Sequence, residues 1–223
     1  MPSWNIHAAH VERLLREEET DALGIRDIGN FLFGNFLPDL YVGWMVPDVS
    51  HKLPYGMTHM AETATIPVPQ YQKFWDLYIE GKNPSEVTDI VLGAWAHLVC
   101  DAGYNGATRR YIAEIGVKPG DRTRIRKQKD FELYGRTFFL ERRVPFTPSL
   151  IDECAAFPQY PILAEDVERG VKAADVLLDG NNERHLADAP TYSLLTPEFF
   201  RMTGDSVDEF LRQGLLRFGK AAC

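Results

Sequence analysis

The chain has 223 residues and a mass of 25.3 kDa, which is enough for one domain with a sizeable core. Apolar residues make up 45% and charged residues 25%, a globular composition that argues against extensive disorder. No apolar run approaches the ~18 residues needed to cross a bilayer, and the N-terminus lacks the basic start and apolar core of a secretory signal. The three cysteines, Cys100, Cys154 and Cys223, are too scattered for a disulfide framework or a cysteine-based zinc site, so we expect a cytoplasmic protein.

The charge of the chain is distributed unevenly. The net charge of −8 disfavours nonspecific nucleic-acid binding, and no nucleic-acid motif is present. Residues 104–143 nevertheless hold eleven Lys/Arg and five Asp/Glu, a local +6, so the remainder of the chain carries −14. Two interpretations of this basic region stay open: a solvated surface of helices and loops, or a patch that attracts an anionic or phosphate-bearing substrate.

A helix is predicted near the N-terminus, and a mostly apolar stretch follows it. Residues 3–19 predict a first helix capped by Ser3, because apolar side chains recur there at near-helical spacing. Residues 24–45 are mostly apolar, and Pro38 should end or kink any helix in this stretch because it has no amide proton to donate.

A long irregular segment follows at residues 46–70. It is rich in proline and has no clean period, which in a segment of this length is typical of functional or disordered regions. Its histidines and aromatic residues favour order. We expect the segment to fold over the functional site, with Trp44, Tyr55 and Met57 packing against the core.

The rest of the chain is predicted to be mainly helical. Apolar periodicity and end signals predict helices at residues 71–79, 87–115, 162–178 (stopped by Asp179-Gly180-Asn181) and 197–218 (stopped by Gly219). Phe138-Phe139-Leu140 fits either a strand or the end of a helix. Alternating strand patterns are almost absent, and neither an internal repeat nor a domain linker is found. The sequence therefore predicts a single all-α domain spanning residues 1–223, built as a compact multi-helix array.

His97 and Asp101 form the most informative pair of polar residues. They are four residues apart in AWAHLVCD, so both side chains lie on one face of the helix, one turn apart. The helix around them is otherwise apolar, and a buried carboxylate is costly unless it is paired or bound to a metal. Imidazole and carboxylate are both zinc ligands. A metal site and a simple His–Asp hydrogen bond in the core both fit this pair.

Three further residues in apolar surroundings point to the same chemistry. His7 lies on the inward face of the first predicted helix, Asp39 directly follows Pro38 in GNFLPDL, and His59 lies in MTHM within the irregular segment. Taken one at a time, each could be an ordinary helix, cap or loop residue. Their joint occurrence with the helical His–Asp pair favours a metal site with an open position, or a pair of metal ions.

Taken in chain order, these motifs resemble the zinc-dependent phospholipase C family, an all-α family related to the nuclease S1/P1 group. The resemblance covers residues 1–105 and is carried by His7, by GNFLPDL with Asp39, by MTHM with His59, and by GAWAHLVCD with His97 and Asp101. It implies that these five residues hold zinc. In the family, further histidines and a glutamate complete a three-zinc cluster, whereas DAGYNGATRRY after Asp101 contains no histidine. We therefore expect one or two ions, of zinc or another divalent transition metal.

The resemblance predicts a metal-dependent hydrolase that cleaves a small phosphoester or phospholipid-like substrate, such as a phosphodiesterase. Zinc would lower the pKa of a water molecule and polarise a phosphoryl oxygen. Asp39 would be a ligand or the base that takes the proton of the attacking water, and Arg109, three turns past His97, would stabilise the phosphoryl charge. The alternative is a non-catalytic, metal-stabilised helical binding protein with a degenerate site.

The three remaining histidines are weaker candidates for metal ligands. His10 lies one turn from His7, so both could approach a common point. His51, in VPDVSHKL, competes with His59 for the role of the loop ligand, and His59 is preferred because its Thr-His-Met surroundings resemble the family. His185 lies in a polar, turn-like stretch and is predicted to be a surface residue.

Overall fold

The computed structural model describes residues 2–222, and their regular structure is entirely helical. Within this range there is no strand, and a single turn of 3₁₀ helix (Pro84–Glu86) accompanies eleven α-helices. In chain order these are α1 (Trp4–Glu17), α2 (Thr20–Leu23), α3 (Ile28–Gly34), α4 (Leu37–Leu40), α5 (Tyr55–Thr58), α6 (Tyr71–Tyr78), α7 (Asp89–Glu114), α8 (Asp121–Gly135), α9 (Pro148–Ala155), α10 (Ala164–Glu183) and α11 (Pro197–Ala222). The all-α class predicted from the sequence is confirmed.

Helix α7 is the central helix of the fold. Thr88 caps it by accepting a hydrogen bond from the backbone N–H of Val91, which satisfies one of the unpaired donors of the first turn. Its residues from Asp89 to Ala102 are all buried, as the apolar run in the sequence predicted. Helices α3, α4, α6 and α11 pack against it. The polar side chains in this stretch therefore point into the core, whichever face they occupy.

Two glycines let α3 and α7 touch at the backbone. A Cβ atom on Gly93 would lie 2.1 Å from the carbonyl oxygen of Phe31 and 2.7 Å from the backbone nitrogen of Asn35. A Cβ atom on Gly34 would lie 2.4 Å from the carbonyl oxygen of Ile90. This close contact places the end of α3 one turn from His97.

Pro38 begins a helix instead of ending one. It occupies the first turn of the short helix α4, where its missing N–H costs nothing because first-turn donors have no partner inside the helix. The expectation that Pro38 ends or kinks a helix is thus met only in part, since α3 ends four residues earlier, at Gly34. Asp39 follows in the same first turn and is buried.

Two helices of the C-terminal half were not predicted. The buried residues of α8 are mostly polar, as in Thr123, Lys127 and Asp130, so the sequence offers no apolar stripe to mark the helix. Helix α9 is only eight residues long, and its signals are the Thr147 cap and Pro148 in the first turn.

The two predicted helix stops in this half were wrong. Helix α10 continues to Glu183, because Asn181 bonds to its neighbours instead of ending the helix: it accepts from Asn5 and donates to the carbonyl of Phe138. Helix α11 continues to Ala222 through Gly219, where a Cβ would lie 2.0 Å from the carbonyl oxygen of Ala22. Both residues serve tertiary contacts.

Residues 138–140 form neither a strand nor a helix end. They are irregular, and the side chain of Asn182 takes the place of a partner strand by bonding both the N–H and the carbonyl of Leu140. An isolated segment of this kind needs such a partner, because buried backbone groups are almost always paired.

The segment 46–70 contains one helical turn, α5, and is fixed to the core at its start. Asp166 of α10 accepts hydrogen bonds from the backbone N–H and the hydroxyl of Ser50. Tyr55 packs inward as expected, but the expectation for the other two residues was wrong. Trp44 and Met57 are 73% and 53% exposed, because the turns that hold them face away from the core.

For the described residues, the structure agrees with the sequence-based predictions about disulfides and membrane-spanning helices. Cys100 and Cys154 are free thiols buried in the core, and Cys223 lies outside the described residues. Across residues 2–222, none of the helices combines the length and apolar character that a membrane span requires.

Candidate metal centre

The five predicted ligands meet in one buried cluster. His7 comes from α1, Asp39 from α4, His59 from the residue that ends α5, and His97 and Asp101 from α7. Asp39 is 3% exposed and the other four residues are 0% exposed. Four separate elements thus deliver three imidazoles and two carboxylates to one point in the core.

The ligand atoms of this cluster form two groups that share His97. His7, His97 and Asp101 make one group, and Asp39, His59 and His97 make the other, with all ligand atoms of a group within 4.8 Å of one another. Asp101 also lies beside the second group, because its Oδ2 is 3.6 Å from His59 Nε2. One ion could therefore use four of the ligands, and His7 with the other oxygen of Asp101 begins a second position.

A hydrogen bond to the backbone fixes His97. Its Nδ1 lies 2.8 Å from the carbonyl oxygen of Asn35. A carbonyl only accepts, so Nδ1 carries the proton and the lone pair of neutral His97 is on Nε2. This lone pair faces Nε2 of His59 at 3.0 Å. Orientation by a second hydrogen bond of this kind is the usual arrangement for a histidine that binds metal.

The partner of His59 on its other nitrogen is Thr58. Its Oγ1 lies 2.8 Å from His59 Nδ1 and 3.3 Å from the carbonyl oxygen of Tyr55. When Thr58 donates to that carbonyl, it accepts from His59, and both Nε2 lone pairs then face each other. That arrangement needs a cation between the two rings. When Thr58 instead donates to His59, a plain hydrogen bond joins His59 to His97.

The surroundings of the two carboxylates show which of these two hydrogen-bond arrangements around His59 is favoured. Asp39 Oδ2 accepts from Trp4 Nε1 at 3.1 Å and Asp101 Oδ2 accepts from Tyr55 Oη at 2.7 Å, but Oδ1 of each carboxylate has no hydrogen-bond partner. Both nitrogens of His7 also lack one. Among residues 2–222, no Lys or Arg nitrogen lies within 4.0 Å of either carboxylate. A hydrogen bond between His59 and His97 leaves these buried atoms without a hydrogen bond, whereas metal ions would give the two carboxylate oxygens and one nitrogen of His7 a partner.

Burial and mutual charge shift the pKa values of the cluster in different directions. Burial raises the pKa of Asp39 to about 6, and the charge of Asp101 adds to this shift. Burial would also raise the pKa of Asp101, but the histidines around it hold that pKa below its ordinary value. Burial lowers the pKa of His7 to about 3 and the pKa of His59 well below 6.5, with the charge of His97 acting in the same direction. These two imidazoles are therefore neutral at pH 7, which is the form that binds metal.

The spacing of the donor atoms is close to that of a zinc site. Ligands about 2.0–2.2 Å from a tetrahedral zinc ion lie roughly 3.3–3.6 Å from one another. In the cluster, His7 Nε2 lies 3.3 Å from Asp101 Oδ1 and His59 Nε2 lies 3.6 Å from Asp39 Oδ1, within this range. The Nε2 atoms of His59 and His97 are closer, at 3.0 Å, and His97 Nε2 lies 3.9 Å from Asp39 Oδ2. The nitrogen and oxygen donors are of the types that zinc prefers.

Tyr55 covers the cluster from the side of the 46–70 segment. Its ring stacks on His59 with 3.7 Å between ring centroids, and its hydroxyl donates to Asp101. The expectation that this segment folds over the site is met by this single turn. The structure thus encloses the five ligands instead of opening them to a cleft.

The three remaining histidines and Arg109 lie outside the cluster. His10 bonds to Asp208 and to Tyr104 Oη, although it is only one turn from His7. His51 stacks on a tyrosine and bonds to its neighbour Ser50, and His185 is an exposed residue, as predicted. Arg109 is exposed, and its Nε donates to the carbonyl of Ile66 at 2.5 Å, so its role toward phosphate stays a prediction.

Sequence reasoning missed the residues that position the ligands. Trp4, Asn35, Thr58 and Tyr55 each hold one ligand by a hydrogen bond. Thr58 is adjacent to His59, and a hydroxyl beside a ligand histidine was a usable signal. The contacts of Trp4 and Asn35 cross 35 and 62 positions of the chain, so no local pattern could have found them.

Comparison with protein-family models, with curated proteins and with solved structures finds no match to this chain.

Proposed function

We propose that the protein is a metal-dependent hydrolase of phosphoesters, with zinc as the metal, held by His7, Asp39, His59, His97 and Asp101. The observation that carries this proposal is the pair of unpartnered carboxylate oxygens, Asp39 Oδ1 and Asp101 Oδ1, buried beside three imidazoles. Buried carboxylates without a cation are costly, and a divalent ion is the partner that this donor set accepts. The phosphoester substrate is inferred from the resemblance to the zinc-dependent phospholipase C family.

Residues in and around the centre have separate roles in the proposed hydrolysis. A divalent ion held by these residues would supply a water molecule of lowered pKa and polarise a phosphoryl oxygen. Trp4 holds Asp39 by one oxygen, which leaves Oδ1 to take a ligand position or to accept the proton of the attacking water. Arg109, bonded only through Nε, keeps its terminal nitrogens for the phosphoryl charge. Substrate reaches the cluster when Tyr55 moves aside, since its ring and hydroxyl cover His59 and Asp101.

The second candidate is a non-catalytic, metal-stabilised helical binding protein. The enclosure of the cluster favours it: Asp39, His59, His97 and Asp101 can surround one ion with four protein ligands, and all four are buried. Four protein ligands with no open position are typical of structural zinc sites. The two candidates share the metal and differ in turnover.

Turnover by the purified zinc-loaded protein separates the candidates. Bis(p-nitrophenyl) phosphate and p-nitrophenyl phosphate serve as diester and monoester substrates, with chelation and zinc re-addition as the metal control. We expect hydrolysis that is lost on chelation and restored by zinc. Full metal occupancy without hydrolysis of either ester would leave the second candidate.

Asp39→Asn defines the role of the carboxylate in that assay. The change keeps the side-chain size and removes the charge. Should Asp39 act as the base, metal stays bound and the rate falls by roughly 10²–10⁴. Should it be chiefly a ligand, metal affinity falls as well. Asp48→Asn is the matched control, because Asp48 is exposed and its left-handed backbone (φ 56°) suits asparagine equally well. Unchanged metal content together with unchanged rate in Asp39→Asn would remove Asp39 from the centre.

A further inference from the structure

We propose that the cavity beside the N-terminal half of α8 is an anion subsite, in which Lys127 and Arg124 bind a phosphate group. As part of the substrate site this inference rests on the proposed hydrolase function, and it specifies the substrate class: a phosphoester that carries a second anionic group. A quaternary ammonium headgroup would meet two cations at this position and be repelled.

The cavity has a volume of about 270 Å³ and lies between two chain segments. Thr65 and Ile66 form one wall, and the first two turns of α8, with Thr123, Arg124 and Lys127, form the other. This volume is large enough for a phosphate group with several water molecules, since a water occupies about 30 Å³ of liquid volume.

Lys127 is the unusual residue of this cavity. It is 7% exposed, and within residues 2–222 no carboxylate lies within 4.0 Å of its nitrogen. The ring of Phe131 lies beside it, with its centroid 5.8 Å from Nζ. A buried ammonium without a counter-ion is costly, and an anion from solution would offset that cost. Burial lowers the pKa of Lys127, with the charge of Arg124 acting in the same direction and the charge of Asp101 opposing it.

Arg124 supplies the second cation, and one acid faces it. Arg124 is exposed at the rim, and Asp121 lies 3.4 Å from its Nε. That pairing occupies one side of the guanidinium and leaves its terminal nitrogens for a ligand. Asp121 is itself exposed to solvent, so its charge is well screened. The two positive charges of Lys127 and Arg124 exceed the single negative charge of Asp121.

Hydrogen bonds connect the segment beside this cavity to helix α7, which carries His97 and Asp101. Asn105, one turn past Asp101 on α7, donates to the carbonyl of Pro67, and Arg109, one turn further, donates to the carbonyl of Ile66. A neighbouring cavity of about 430 Å³ is lined by Arg109 and shares Thr65 and Ile66 with the first one. Cations thus flank the segment 65–66 on both sides, close to the helix that carries the ligands.

Binding of inorganic phosphate to the purified protein tests the subsite without any need for turnover. Isothermal titration calorimetry compares the wild type with Lys127→Gln, Arg124→Gln and the control Lys129→Gln, which removes the same charge from an exposed position of α8. We expect each of the first two changes to weaken phosphate binding at least about ten-fold, as hydrogen bonds to charged groups usually require. Lys129→Gln should bind as the wild type does.

The outcomes of this titration decide the subsite separately from the hydrolase. Phosphate affinity equal in the wild type and in Lys127→Gln or Arg124→Gln, or no phosphate binding by the wild type at millimolar concentration, overturns the subsite even where hydrolysis is found. Binding that depends on both cations in a protein without turnover upholds the subsite as an anion site and rejects the hydrolase. Arg124→Gln changes an exposed residue, so the test stands should the buried change at Lys127 impair folding.

Discussion

Four of the five ligands of the candidate centre are held by residues that are not themselves ligands. Asn35 orients His97 through a backbone carbonyl, Tyr55 donates to Asp101, and Trp4 donates to Asp39. Such outer contacts set which atom of a ligand faces the metal, and their loss typically costs 10–100-fold in metal affinity. Removing one of these contacts, while leaving every ligand in place, therefore tests whether such partners position the ligands for the metal.

Trp4→Phe removes the indole N–H that bonds Asp39 and keeps an aromatic ring against Phe36, which stacks on Trp4 with 4.7 Å between ring centroids. We expect zinc affinity to fall by roughly 10–100-fold, because Asp39 loses the donor that fixes it. A competition titration with a zinc chelator measures this. Trp75→Phe is the control: Trp75 bonds to the exposed Glu80, away from the cluster. Equal zinc affinities in all three proteins would show that Trp4 only packs.

At the scale of elements, the contact between α3 and α7 determines where the centre forms. Gly93 lets the two helices meet at the backbone, and the same contact brings the carbonyl of Asn35 to His97. Packing and ligand orientation thus depend on the same pair of helices. A change that separates them should reduce stability and metal binding together.

Gly93→Ala is expected to separate these helices, because its Cβ would lie 2.1 Å from the carbonyl oxygen of Phe31. Forced packing of this kind costs typically about 1–3 kcal/mol, and a clash with backbone belongs at the upper end or beyond. Gly106→Ala on the same helix is the control. Its Cβ would meet only Arg110, at 3.6 Å, so it should gain roughly 0.5–1 kcal/mol from helix propensity. Urea unfolding of both variants gives the free energies, and equal stabilities would contradict the packing argument.

Asp166 anchors the segment that carries His59, and its contribution to the free energy of unfolding should depend on pH. Burial would raise the pKa of Asp166, but hydrogen bonds from Ser50, Tyr41 and Arg169 lower it below 3.8. A lowered pKa means that the ionised carboxylate stabilises the fold above pH 3.8, and that this contribution is lost as the pH falls through the folded-state value.

Asp166→Asn should therefore destabilise the protein at pH 7 by about 1–3 kcal/mol, the usual cost of losing bonds to a buried charge. The difference from the wild type should shrink below pH 3.8. Urea unfolding at pH 7 and pH 3 measures it. The control Glu165→Gln changes an exposed acid bonded to the same Arg169 and should stay within about 0.5 kcal/mol. A cost for Asp166→Asn that is independent of pH would mean that charge is not involved.

At the scale of the whole molecule, the sequence predicted what local pattern encodes. The buried helix α7 follows from its apolar run, and the pairing of His97 with Asp101 follows from their four-residue spacing. Helix α8 could not be predicted, because its inward face holds Lys127 and Asp130; the latter accepts three backbone N–H bonds from the loop at residues 193–195. Such polar tertiary contacts leave no periodic signal in the sequence.

In the candidate centre, too, the local sequence pattern predicts some features, and others depend on tertiary contacts. The residue types of its five ligands, each in apolar surroundings, were enough to predict that they belong together, and the structure places all five in one cluster. Their orientation depends on partners such as Trp4 and Asn35, which lie far away along the chain. The role of His10 also depends on residues far along the chain, because its ring nitrogens bond to Asp208 and Tyr104 and not to the cluster.

The metal content of the purified protein decides whether the candidate centre binds an ion. Elemental analysis compares the wild type with His97→Ala, which removes the one residue shared by both ligand groups, and with His51→Ala, a histidine outside the cluster. We expect at least one zinc or other divalent transition-metal ion per chain in the wild type and in His51→Ala, and loss of metal in His97→Ala. A wild-type protein that binds no zinc on titration, or a His97→Ala variant that keeps full occupancy, would contradict the account.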